Sequence, residues 1–122
     1  MNFLAVFFGG GIGALTRYFL YLILPKECCF PYCTLAANFF GCFFASVFFT
    51  FFVLKSDVNS AYKLLLITGF CGGLSTLSAL SLEVMHYIQS GLYIKAFLYV
   101  LISVITCVVS VMLGMILVKK YI

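Results

Sequence analysis

The chain has 122 residues, 66% of them hydrophobic and only 8% charged, with a mean hydropathy of +1.26. No soluble domain of this size could hide so much apolar surface, so the composition defines an integral membrane protein. The net charge of +4 is spread over loops and tail and forms no basic stripe, which leaves no case for nucleic acid as a partner.

A bilayer core needs ~20 apolar residues per helix. Four such spans nearly exhaust the chain, giving one transmembrane domain over residues 1–122. The first span runs from about Phe3 to Leu24. It has no basic leading segment and no convincing cleavage site, so it reads as a helix and not as a signal peptide. Gly9 and Gly13, and likewise Gly10 and Ala14, stand four residues apart, the small-xxx-small spacing that lets two helices approach closely. Arg17, near the end of this span, either snorkels to the headgroups, lines an anion-attracting vestibule, or pairs with a partner chain.

The first loop holds Cys28, Cys29 and Cys33, in a spacing that resembles no standard zinc site. Together with Cys42, Cys71 and Cys107 in the spans, they read as small apolar residues. The second span runs from about Tyr32 to Leu54 and carries no charge. Its one amide, Asn38, either bonds a neighbouring helix or donates to a passing anion. Phe48-Phe49 and Phe51-Phe52 read as lipid contact or packing.

The third span, from about Tyr62 to Tyr87, is the most informative. Between Gly69 and Glu83 it carries three glycines, four hydroxyl residues and a carboxylate. Glycine costs helix stability, and a carboxylate at membrane depth must be paired, protonated or wet. Non-helical backbone at that depth is tolerated where it is buried in protein or lines a polar cavity. The segment therefore predicts a helix broken near Gly72 to Ser75, with freed carbonyls able to hold a hard cation such as Na⁺. Beyond the break, Thr76, Leu80, Glu83 and Tyr87 share one helical face, with Ser78 and Ser81 on an adjacent strip. The competing reading bonds these hydroxyls back to their own helix. His86 reads as a boundary residue and not as a ligand.

The fourth span runs from about Ala96 to Val118 and is uncharged. Tyr99 lies inside it, where its hydroxyl needs a partner. The other tyrosines fall near span ends, as an interfacial belt predicts. The side that holds both termini carries Lys55, Lys63, Lys119 and Lys120, and the other carries Lys26 and Lys95. That bias mildly favours cytoplasmic termini, and Arg17 reduces it, so one or both orientations remain open.

Three motifs in order carry a family resemblance. They are Gly9-Gly10-x-x-Gly13-Ala14-x-x-Arg17-Tyr18, Thr34-Leu35-x-x-Asn38-x-x-Gly41, and Gly69-Phe70-Cys71-Gly72-Gly73-Leu74-Ser75-Thr76-Leu77-Ser78. The chain resembles the Fluc-type (CrcB) fluoride channels over nearly its whole length. The resemblance implies an all-α protein of four transmembrane helices, the third broken, assembled as an antiparallel, dual-topology dimer in the bacterial cell (inner) membrane. It implies a structural Na⁺ at the dimer centre on the carbonyls of Gly72 and Ser75, held but not transported. It implies a fluoride pathway past Asn38, Thr76, Ser78, Glu83 and Tyr99, with Ala79 where a hydroxyl is usual, and a vestibule at Arg17. The departure is at Leu77 and Leu80, where the family has two phenylalanines that line the pathway. Leucine lacks the partly positive ring edge that a phenyl group presents to an anion.

The leading expectation is a passive fluoride channel subunit that lowers cytoplasmic fluoride, with fluoride and membrane lipid as partners and no enzyme activity. The pair Leu77 and Leu80 keeps open a homodimer, a heterodimer with a paralogous subunit, or a non-conducting half of such a pair. A different class, a proton-coupled exporter like the small multidrug resistance transporters, would have to work through Glu83, because the first span has no acid and the chain no Trp.

Overall fold

The computed structural model describes residues 1–24, 30–55 and 58–122. Lys26, Cys28 and Cys29 lie outside the described residues. The described chain is all helical: α1 (Asn2–Ile23), α2 (Tyr32–Leu54), α3 (Ser60–Lys63), a π-helical stretch (Leu64–Cys71), α4 (Gly72–Leu74), α5 (Leu77–Gln89) and α6 (Tyr93–Tyr121). Four spans are long and apolar enough to cross a membrane: α1, α2, the run from Ser60 to Gln89, and α6. The chain is therefore a multi-pass membrane protein.

Side-chain size decides which helices touch. α1 packs on the π-helical stretch and α4, and α2 packs on α6. The first contact is backbone against backbone. A Cβ on Gly9 would overlap the Leu65 carbonyl, and one on Gly13 would overlap the Phe70 carbonyl. A Cβ on Gly73 would come within 2.5 Å of the Gly10 carbonyl oxygen. Lipid tails are as apolar as leucine, so helices gain from such close van der Waals approach and not from water exclusion. Gly9 and Gly13 are thus packing residues. In the second contact, Gly114 leaves room for the Ser46 hydroxyl, and Ser110 donates to the Phe39 carbonyl at 2.6 Å.

The buried apolar set is small and includes Ala37, Phe52, Cys71, Leu74, Leu80, Ala96 and Tyr99. Large apolar residues such as Phe3, Phe7, Ile94 and Phe97 are exposed, as lipid-facing positions should be. Phe49 faces outward with the expected lipid character, but Phe52 is buried and belongs to the packing between helices. Adjacent residues on a helix point about 100° apart, so a Phe-Phe pair straddles two environments.

The third span holds a local surprise. Gly72, with φ −65° and ψ −35°, is helical, while Ser75 (ψ 151°) and Thr76 (φ −151°, ψ 120°) are extended. The extended backbone therefore begins at the C-terminal edge of the Gly72–Ser75 stretch singled out in the sequence. Gly69 and Gly73 serve the α1 contact, and the turn-forming work falls on a Ser-Thr pair. Both hydroxyls compensate locally: Ser75 Oγ donates to the Cys71 carbonyl at 3.0 Å, and Thr76 Oγ1 accepts from Ala79 N–H at 3.3 Å as the N-cap of α5.

Candidate functional site: an amide lock and a carboxylate hub

Asn38 lies on the buried side of α2, in the turn after Thr34. Its Oδ1 accepts from Thr76 N–H at 2.6 Å, and its Nδ2 donates to the Thr76 carbonyl at 3.2 Å. The side-chain amide thus pairs with the extended peptide as a neighbouring strand would. The backbone N–H fixes the amide's orientation, since only an oxygen can face it. Of the two readings open for Asn38, this geometry is the helix-to-helix bond. Among the described residues, the second hydrogen of the Nδ2 group has no partner.

The lock redirects two helical donors. In a continuous helix Thr76 N–H would bond the Gly72 carbonyl, and Ala79 N–H would bond that of Ser75. Here the first goes to Asn38 Oδ1 and the second to Thr76 Oγ1. The carbonyls of Gly72 and Ser75 thereby lose their helical partners. Gly72 is on an exposed face, and a Cβ there would meet only the Ile67 carbonyl oxygen, at 3.9 Å.

The second feature is the Glu83 carboxylate. Thr34 Oγ1 donates to Oε1 at 2.6 Å, and Tyr99 Oη donates to Oε2 at 2.6 Å. Three spans meet at this one group. Tyr99 is fully buried and packs nearly perpendicular to the rings of Phe30 and Tyr87, with centroid separations of 5.2 and 6.1 Å. Charge-assisted bonds from two hydroxyls are what a carboxylate at this depth requires. Glu83 and Tyr99 are brought together as each one's partner.

The other candidates divide between inside and outside. Thr76 and Leu80 are buried, whereas Leu77 (76% exposed) and Ser78 face out of the subunit. Ser78 Oγ shares a 2.9 Å bond with Thr76 Oγ1, so it continues the polar run to the surface. Ser81, beside it, bonds back to the Leu77 carbonyl at 2.9 Å. Arg17 is partly buried and makes no hydrogen bond or ion pair among the described residues. Beyond Glu83, a cleft of about 610 Å³ opens between the ends of the helices, lined in part by Glu83, His86 and Lys95. Arg17 does not line it.

Two residues were passed over in the sequence. Thr34 was read only as part of a motif, and its hydroxyl holds Glu83. Ser103 is buried on the fourth span beside the Tyr99 hydroxyl. The available signal was spacing: Thr34 stands four before Asn38, and Ser103 four after Tyr99, on the same helical faces.

This fold and site define a small, multi-pass, all-helical membrane protein whose polar groups gather where its spans meet. A sequence model of the family described as "CrcB-like protein, Camphor Resistance (CrcB)" matches residues 4–115, and the chain belongs to that family. Among relatives, a "Fluoride-specific ion channel FluC" of Pyrococcus abyssi is 38% identical, covering 96% of this chain and 95% of its own length. One of a Nitratiruptor species is 38% identical over 98% of this chain and 96% of its own length. One of Escherichia fergusonii is 40% identical over 84% and 81%. These relatives are named as ion channels, so the family is one of transporters and not of enzymes.

Proposed function

We propose that the chain is a subunit of a passive, fluoride-selective channel in a bacterial cell membrane, exporting fluoride and so lowering its toxicity. The observation that carries this reading is a pair of hydrogen-bonded polar clusters one turn apart along α2: Glu83 with Thr34 and Tyr99, and Asn38 with Thr76 and Ser78. A strongly hydrated small anion needs donors to replace its water, and the free Nδ2 hydrogen of Asn38 and the Ser78 hydroxyl can supply them. Relatives that share most of the chain's length are named fluoride-specific channels.

The subunit is proposed to work as an antiparallel dimer. Gly72, Leu77, Ser78 and Ser81 form an exposed and partly polar face that lipid would not solvate well. A second copy or a paralogue covering this face would set the four carbonyls of two Gly72 and two Ser75 around a common centre. Those carbonyls fit a hard cation because their helical donors are engaged elsewhere. Bound there, Na⁺ would neutralise mutually repelling dipoles and clamp the dimer. Leu77 on the open face belongs to the part of the site a partner completes, whereas Leu80 is buried within the subunit. The exporter alternative fares worse, because both Glu83 oxygens are already taken by hydroxyls.

Purified dimer in liposomes should release fluoride on addition of a K⁺ shunt, and chloride far more slowly. No fluoride release above protein-free vesicles, with and without a homologous partner subunit, would overturn the reading.

A further inference from the structure

The cleft beyond Glu83 is far larger than any monatomic ion, and the pathway groups leave its charge unaccounted for. His86 is the only histidine of the chain. It is exposed, one helical turn after Glu83 on α5, and it lines the cleft. Among the described residues, the titratable groups that line this cleft with it are Tyr21 from α1, Tyr32 and Cys33 from α2, Glu83 and Tyr87 from α5, and Lys95 from α6.

We propose that His86 sets the charge of the channel mouth, so that its protonation speeds anion entry. The inference rests on the channel reading above and assigns that channel a pH-dependent entry step. Counted formally over the described lining residues, Lys95 and Glu83 cancel, and protonated His86 adds a charge of plus one to that lining. Among the described residues that line the cleft, the one carboxylate that would repel an arriving anion is held by Thr34 and Tyr99, one turn deeper than His86. A low-dielectric wall focuses the remaining field into the cleft and raises the local anion concentration. Histidine is the side chain type whose charge ordinarily changes between pH 5 and 8, which sets the pH range of the test. A single charge at the mouth should change entry by about two- to threefold at low salt.

The test is the rate of fluoride release from proteoliposomes with equal pH on both sides, between pH 8 and pH 5.5. Leak of neutral HF is subtracted with protein-free vesicles at each pH. Wild type should speed up about two- to threefold as the pH falls. His86→Gln should hold the pH 8 rate throughout, and His86→Lys should hold the faster rate throughout. An impermeant salt at high ionic strength should flatten the wild-type profile, because mobile ions screen the charge. A wild-type rate independent of pH, or a slope that survives in His86→Gln, overturns the proposal. Absence of fluoride release at every pH overturns the channel reading itself, which keeps the two failures distinct.

Discussion

The two helix contacts of this subunit are built on opposite principles. Where α1 meets the third span, the contact is made by removing atoms: Gly9, Gly13, Gly69 and Gly73 bring backbones together with no side chain between. Where α2, α5 and α6 meet, the contact is made by adding polar atoms: Asn38, Thr34, Glu83 and Tyr99 join three spans through hydrogen bonds. The first kind tolerates nothing larger than hydrogen but asks nothing of donors and acceptors. The second cannot lose a hydrogen-bond partner, and at Gly114, where a Cβ would overlap the Ser46 hydroxyl, it too leaves no room for a larger residue. One half of the chain is a close-packed support, and the other carries the polar groups of the proposed pathway.

The comparison is broken most severely at the glycine seam. Gly13→Ala should cost about 1–3 kcal/mol or more, because the new methyl group overlaps backbone that cannot rotate away. Gly11→Ala, with nothing within 4 Å, should be silent. Thermal unfolding in detergent, followed by size exclusion, separates the two variants. Equal melting would show that α1 does not dock as described.

Next comes the amide lock. Asn38→Leu strips both partners from the buried Thr76 peptide and should cost about 1–3 kcal/mol as well as stopping fluoride flux. Asn38→Asp keeps an acceptor for Thr76 N–H but sets a second oxygen against the Thr76 carbonyl, so it should lose flux with a milder loss of stability. Unchanged efflux in Asn38→Asp would place this residue in packing alone.

At the hub, Tyr99→Phe and Thr34→Val each remove one hydroxyl from Glu83 and should destabilise by about 1–3 kcal/mol, since each bond goes to a charged acceptor. The double variant leaves Glu83 neither hydroxyl, so it should cost more than the sum if each single variant is rescued by the donor that remains. Additive costs would mean that the two bonds are independent.

The smallest folding effects are expected on the open face. Gly72→Ala has room within the subunit and should leave its fold intact, whereas Gly73→Ala meets the Gly10 carbonyl at 2.5 Å. The wild-type dimer should be more stable in Na⁺ than in an equal concentration of a large organic cation, and Gly72→Ala should narrow that difference. Equal stability of the wild type in both salts would remove the proposed ion. Leu77→Phe should likewise fold normally and raise flux or leave it unchanged, whereas Leu80→Phe must fit a larger ring into a buried position. Loss of flux in a folded Leu77→Phe dimer would show a pathway rebuilt around leucine.

Composition and apolar length were enough to read four spans, because crossing a bilayer depends on the local run of residues and little else. The motifs were enough to read the family, and the small-residue spacing was enough to read α1 as a packing helix. What the sequence left undecided is who pairs with whom. Asn38 and Thr76 stand 38 residues apart, and Thr34 and Glu83 stand 49 apart, so their meeting depends on the relative height and rotation of separate helices. The extended pair was placed slightly early for the same reason. Glycine marks where a chain can bend, but here the seam with α1 uses the glycines, and the Asn38 amide stabilises extended backbone one turn later. A carboxylate in a membrane span announces that it needs partners. Only the tertiary structure chooses them, because hydrogen bonds at this depth require atoms within about 3 Å, and no local pattern fixes that distance.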